Sequence, residues 1–252
     1  MKRTISTLLI FIGIEALVSG AVTAVNPHAV VLASLLSSIA VLLVLYLMKY
    51  FSLSDFAVKP KLLPIFGFSA ILAITSILPS LYFQDIMPEL PNIMEAEFEL
   101  MGKNFWGVLF ISLLAPVVEE LVFRGIILKH LLSIQKYQTK YWDAILMSAA
   151  VFAVVHGNPA QMPHAFLIGL LLGWLYYHTK SIMPGIVMHL VNNSIACVIY
   201  RFYPDPDVKL ADMLGSDTTV NVCVLISLVV FAITIYALNR KFRRSFGEEL
   251  RS

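Results

Sequence analysis

The sequence predicts an all-α fold, a polytopic bundle of about eight membrane helices with both termini cytoplasmic. Three observations lead there. Of the 252 residues, 59% are hydrophobic and only 13% are charged, about half the charged fraction of a soluble domain, and mean hydropathy is +0.82. The apolar residues come in runs near the ~20 needed to cross a bilayer. Lys and Arg fall in alternate connecting segments, as the inside-positive bias of membrane proteins requires. The net charge of +2 builds no basic face and excludes nucleic acid as a partner.

The predicted spans lie at about 4–25, 28–48, 62–83, 104–130, 142–157, 163–179, 183–201 and 220–239. The first begins basic, turns apolar and ends in small residues, as a signal peptide does. It is nonetheless long enough to span, and Glu15 interrupts its apolar middle. It is therefore read as a retained helix, with Glu15 pairing with a neighbouring helix or lining a polar cavity. The fifth and sixth spans are short and share the turn "HGNPAQMP", where Gly157, Asn158 and Pro159 stop the helix. On the sixth, Gly169 and Gly173 permit close helix approach, and Trp174, Tyr176 and Tyr177 are expected in an interfacial aromatic belt. Cys197 and Cys223 both lie in apolar stretches, which argues against a disulfide framework or a cysteine-held metal. Residues 1–252 read as one integral membrane domain.

With the N-terminus inside, fourteen Lys and Arg fall on the cytoplasmic side and three, Lys103, Arg201 and Lys209, outside, with Arg124 set aside within the membrane. The acids lean the other way: Asp85, Glu89, Glu95, Glu97 and Glu99 share one outer segment, and Asp205, Asp207, Asp212 and Asp217 another. The basic tail from Asn239 onward is expected to touch anionic lipid.

The fourth span departs from this plainness. "VVEELVFRGIILKHLL" places Glu119, Glu120 and Arg124 inside an apolar helix. Three unpaired charges there would cost roughly 7–10 kcal/mol. Glu120 and Arg124 are spaced i, i+4 with the acid first, the favourable order for an ion pair. Glu119 points ~100° away around the helix and is left to face water or another helix. Pro116 removes a helical hydrogen bond and frees a carbonyl one turn back, which fits a hydrated pocket.

Two later spans carry matching polar groups. His156 ends the fifth in "FAVVHGN", with Phe152 one turn earlier to pack on its ring. His189 lies in the seventh, with Asn193 on the same face and Asn192 turned elsewhere. His28, His130, His164 and His178 read as loop or interfacial residues. A carboxylate, two imidazoles and an amide suit amide hydrolysis: a base for water, an imidazole to hold that water or bind a metal that acidifies it, and donors for the oxyanion. The sequence has no G-x-S-x-G elbow, no H-E-x-x-H zinc motif and no Gly-rich phosphate loop.

"EELVFR", "FAVVH" and "HLVNN" resemble the E-E-x-x-x-R, F-x-x-x-H and H-x-x-x-N motifs of the CPBP intramembrane proteases, which include the type II CAAX prenyl endopeptidases and the Abi bacteriocin-immunity proteins. The resemblance covers about residues 104–200, an Abi/CAAX-protease-like catalytic core. It implies an intramembrane endopeptidase acting on a peptide or a membrane-associated protein in the lipid bilayer of a bacterial inner membrane. Carried over, Glu119 is the base and His156 positions the water. His189 and Asn193 stabilise the oxyanion, while Glu120, Arg124 and Phe152 support the site. Two routes stay open: a metal-free, glutamate-activated water, or zinc held by Glu119, His156 and His189 with one open position. Other function classes are a peptide-binding or bacteriocin-immunity protein of the same fold, and a proton- or ion-coupled transporter. Straight spans would leave Glu119 toward the inner leaflet, His156 toward the outer and His189 between, so a catalytic reading requires spans that are displaced, tilted or broken.

Overall fold

The computed structural model describes residues 2–138, 140–205 and 208–246; Asp207, Arg251 and the end of the basic tail lie outside them. Eight principal helices are formed: α1 (Arg3–Val25), α2 (Val30–Leu47), α3 (Leu63–Ile86), α4 (Phe105–Ser133), α5 (Tyr141–Val155), α6 (Met162–Thr179), α7 (Met183–Phe202) and α8 (Asp217–Phe246). Each coincides with one predicted span. Six helical stretches, α1 to α4, α7 and α8, are long and apolar enough to cross a membrane; α5 is apolar but has only 15 residues. The protein is an all-helical integral membrane protein. Two short helices, Glu95–Lys103 and Leu210–Leu214, occupy segments read from sequence as plain connections.

Connections pair in two sets, and the sets follow the predicted alternation. At one end, Arg3 donates to the Tyr50 carbonyl at 3.0 Å, Lys129 pairs with Asp55 at 3.0 Å, and Tyr141 stacks on Tyr177 at 3.9 Å. At the other, Asp85 accepts from the Leu210 N–H at 2.9 Å, and Asn158 bonds Asn92 at 2.8 Å.

Apolar side chains divide between core and lipid. Leu9 and Leu17 on α1, Leu36 and Leu43 on α2, and Leu225, Ile226 and Ile233 on α8 are exposed, as expected where hydrocarbon is the solvent. The core gathers on α4, where every residue from Leu121 to Leu128 is buried. Phe123 of α4 meets Phe11 of α1 edge-on at 5.7 Å and Phe152 of α5 at 5.0 Å. Gly169 and Gly173 of α6 bring the backbone onto α5: a Cβ at Gly173 would stand 2.9 Å from Ile145, and one at Gly169 3.0 Å from Ala149. The expected aromatic belt does not form. Trp174 and Tyr176 are only 7% and 6% exposed; Trp174 is covered by α8 and His178, 5.1 Å from Phe242 and 5.4 Å from His178.

Among the described residues three segments wind as π-helix: Glu15–Ser19 in α1, and Phe110–Leu114 and Leu121–Leu128 in α4. Such insertions shift the register of a helix face and collect at functional sites. Here two of them bracket Pro116, Glu119 and Glu120.

Candidate active site

Pro116 has no N–H, and the π turn just before it pairs each carbonyl with the fifth residue on. In that register the carbonyl of Ile111 falls opposite Pro116, which has no proton to give. Asn193 of α7 supplies the missing donor, with Nδ2 3.0 Å from the Ile111 oxygen. This bond ties α7 to α4 about two turns before the carboxylates, since Ile111 precedes Glu119 by eight residues.

Glu120 and Arg124 are wholly buried and pair at 2.7 Å. The Arg124 Nη2 donates to the Gly169 carbonyl at 3.2 Å, and its guanidinium carbon stands 4.4 Å from the Phe152 ring centroid. One cation thus joins α4, α5 and α6. Glu120 also receives His189 Nδ1 at 3.3 Å, and its second oxygen packs against Gly185. The bond to Nδ1 turns the other imidazole nitrogen outward. His189 Nε2 stands 3.7 Å from Glu119 Oε2, beyond direct hydrogen-bond range. Glu119 is the accessible carboxylate, with a side chain 23% exposed.

Phe152 is the hub for the second imidazole. Its ring meets His156 edge-on at 4.7 Å and His189 at 5.8 Å. The His156 Nδ1 lies 2.7 Å from the Phe152 carbonyl. A carbonyl only accepts, so Nδ1 carries the proton and Nε2 is left with its lone pair. His156 is not among the hydrogen-bond or ion-pair partners of Glu119; it joins the group through the Phe152 ring. The site therefore assembles with α5 ending at Val155, followed by a turn at Gly157 with φ +67°.

A zinc ion would draw on Glu119, His156 and His189 as ligands. Among the described residues no three His, Cys, Asp or Glu side chains are arranged to hold a metal ion. The two Nε2 atoms and the Glu119 carboxylate are suitable donors in kind, but they do not close into a ligand set.

Glu15 accepts from Ser37 Oγ at 2.7 Å, pairing α1 with α2, and lies within electrostatic reach of Glu119. Sequence reasoning missed two polar residues. His164, read as interfacial, is 2.5 Å from Ser80 Oγ through Nδ1 and 3.3 Å from Asn192 Nδ2 through Nε2. Asn192, read as turned away, is buried and donates to Asn193 Oδ1 at 3.2 Å. The adjacent asparagines in "HLVNN" were the available signal, since burying two amides side by side demands partners for both.

Residues 101–195 match the family profile described as Type II CAAX prenyl endopeptidase Rce1-like, and every candidate site residue above lies in that segment. The chain is 26% identical over 100 residues to the membrane-embedded CAAX protease MroQ of Staphylococcus aureus (strain USA300), covering 39% of this chain and 40% of that protein. It is 30% identical over 88 residues to YdiL of Bacillus subtilis (strain 168), named as a membrane peptidase, covering 35% of this chain and 34% of that one. The match thus spans well under half of these relatives. No solved structure matches at comparable stringency. The resemblance read from the three motifs holds over this central segment.

Proposed function

We propose that the protein is an intramembrane endopeptidase that hydrolyses a peptide bond with water activated by Glu119. The observation that carries this reading is the division of labour between adjacent carboxylates. Glu120 is consumed by Arg124 and His189 Nδ1, whereas Glu119 is partly exposed and faces His189 Nε2 across 3.7 Å.

The steps follow from the donor and acceptor inventory. Glu119 takes one proton from water, and the His156 Nε2 lone pair accepts a hydrogen bond from the other, holding the molecule in place. The oxygen attacks the peptide carbonyl. The developing oxyanion is met by the second N–H of Asn193, whose first is bound to Ile111, while His189, held by Glu120 through Nδ1, flanks Glu119 and the bound water. Collapse breaks the C–N bond, and the proton held by Glu119 passes to the leaving amine. Water and amide are consumed; acid and amine are formed.

The substrate on this reading is a peptide or membrane-associated protein. A bacterial inner membrane with both termini cytoplasmic is supported by the distribution of Lys and Arg and by the sources of the relatives.

The test is cleavage of membrane-protein and peptide substrates by purified protein in lipid, wild type against Glu119→Gln. Loss of cleavage with an unchanged melting curve is expected, and retained cleavage in the variant removes Glu119 from the mechanism. Metal analysis of the same preparation decides the route: stoichiometric zinc lost on substituting His156 or His189 would replace the carboxylate–water path with a metal-bound one.

A further inference from the structure

An asparagine can offer a reacting carbonyl either its N–H group or its oxygen, and only the N–H stabilises a developing negative charge. Asn193 Nδ2 is held on one side by the Ile111 carbonyl at 3.0 Å. The other side is set by side chains that the three motifs do not specify. Ser80 Oγ is 2.5 Å from His164 Nδ1, His164 Nε2 is 3.3 Å from Asn192 Nδ2, and Asn192 Nδ2 also donates to Asn193 Oδ1 at 3.2 Å.

With Asn193 Nδ2 on the Ile111 carbonyl, the proton bookkeeping of this chain has one solution. Asn192 Nδ2 is a donor only, so His164 Nε2 presents its lone pair. The His164 proton is then on Nδ1 and is given to Ser80. An N–H from Asn192 in turn holds Asn193 Oδ1, which leaves Asn193 presenting Nδ2. Asn192 does not choose this orientation for its own sake: its Oδ1 is buried without a partner, which costs about 1–3 kcal/mol. Ser80 and His164 also line a groove of about 1210 Å³ between α3, α5, α6 and α8, so the chain links that groove to the reacting centre.

We propose that His164 is a positioning residue, which acts through Asn192 to fix the amide orientation of Asn193 as oxyanion donor. This rests on the endopeptidase reading. Ser80 lies outside the matched segment 101–195, and the match to that family does not by itself assign His164 a role.

The test has two readouts on the full chain in lipid. Protein labelled with ¹⁵N-asparagine reports the side-chain amide signals, with Asn193 assigned by its loss in Asn193→Ala. His164→Phe removes the acceptor; His164→Gln retains one in its side-chain oxygen. The Asn193 signal should move in the Phe variant and stay near wild type in the Gln variant. In turnover, kcat should fall about 10- to 100-fold for Phe, less than for outright removal of an oxyanion donor, with KM within about twofold and partial rescue by Gln. If the Phe variant fails to fold, Ser80→Ala, which removes the acceptor for Nδ1, should move the Asn193 signal in the same direction by less. An unmoved Asn193 signal in the folded variant, or a Gln variant as impaired as Phe, overturns the proposal. A responsive signal in a wild-type protein that cleaves nothing overturns the endopeptidase reading instead, and with it the catalytic meaning of the chain.

Discussion

The Arg124 guanidinium carbon stands 4.4 Å from the centroid of the Phe152 ring, so a buried cation rests on the side chain that orients both imidazoles. Replacing Arg124 with Ala leaves Glu120 a buried anion without its cation, held by His189 Nδ1 alone, a loss of about 3–5 kcal/mol. Thermal unfolding in detergent should show a large drop in melting temperature and poor yield; an unaltered curve would mean that the pair does not brace the bundle.

Phe152→Leu keeps the side chain apolar, makes it somewhat smaller and removes the ring. Stability should fall by about 1–2 kcal/mol, the low end of large-to-small core changes. Cleavage should fall much further, because His156 and His189 lose the surface that fixes their rings. Equal proportional losses in stability and activity would reduce Phe152 to simple packing.

Gly185 is where α7 comes down on Glu120: a Cβ there would run into Glu120 Oε2. Gly185→Ala should destabilise by about 1–3 kcal/mol and disturb His189, which shares the same carboxylate. Gly20→Ala is the control, since nothing lies within 4 Å of its Cβ position; in a helix it should be neutral or stabilising by up to ~1 kcal/mol. Comparable melting temperatures for the two variants would contradict the packing described.

Pro116→Ala restores an N–H that competes with Asn193 for the Ile111 carbonyl. Stability should hold or rise, because a helix interior disfavours proline by ~3 kcal/mol, while turnover should fall as Asn193 loses its anchor. A variant both stable and fully active would detach the proline from the site.

Asp55 tests the connection at the basic end. Burial pushes its carboxyl up, but the Ser52 backbone N–H and Lys129 more than offset this and hold it below the usual carboxylate range. A lowered folded-state pKa means that the contribution is present above the unfolded value and is lost as pH falls through the folded one. Hydrogen exchange in the segment around residues 52–62 should therefore be faster in Asp55→Asn than in wild type at pH 7. The difference should close only below about pH 4, the ordinary aspartate range. For so exposed a pair the effect should stay under ~1 kcal/mol, and a difference that persists at pH 2 would assign it to another group.

Much of this protein was legible from residue order. Eight helices follow from apolar runs, because a bilayer admits no other open-chain backbone. The Glu120–Arg124 pair follows from helical spacing, since four residues bring two side chains onto one face whatever surrounds them. His156 and Phe152 pair for the same local reason.

What the tertiary structure decided lies between helices. Spacing cannot show that α4 winds as π-helix on both sides of its carboxylates, since register shifts answer to packing and to partners on other chain segments. Nor can it show that His189 sits between Glu119 and Glu120, or that Gly185 makes room for a carboxylate. The partners of His164 and Asn192 are equally nonlocal: Ser80 stands 84 residues from His164. Local order sets which side chains a helix offers, whereas the crossing of helices in three dimensions sets which of them meet, and a buried polar atom takes whatever partner that crossing supplies.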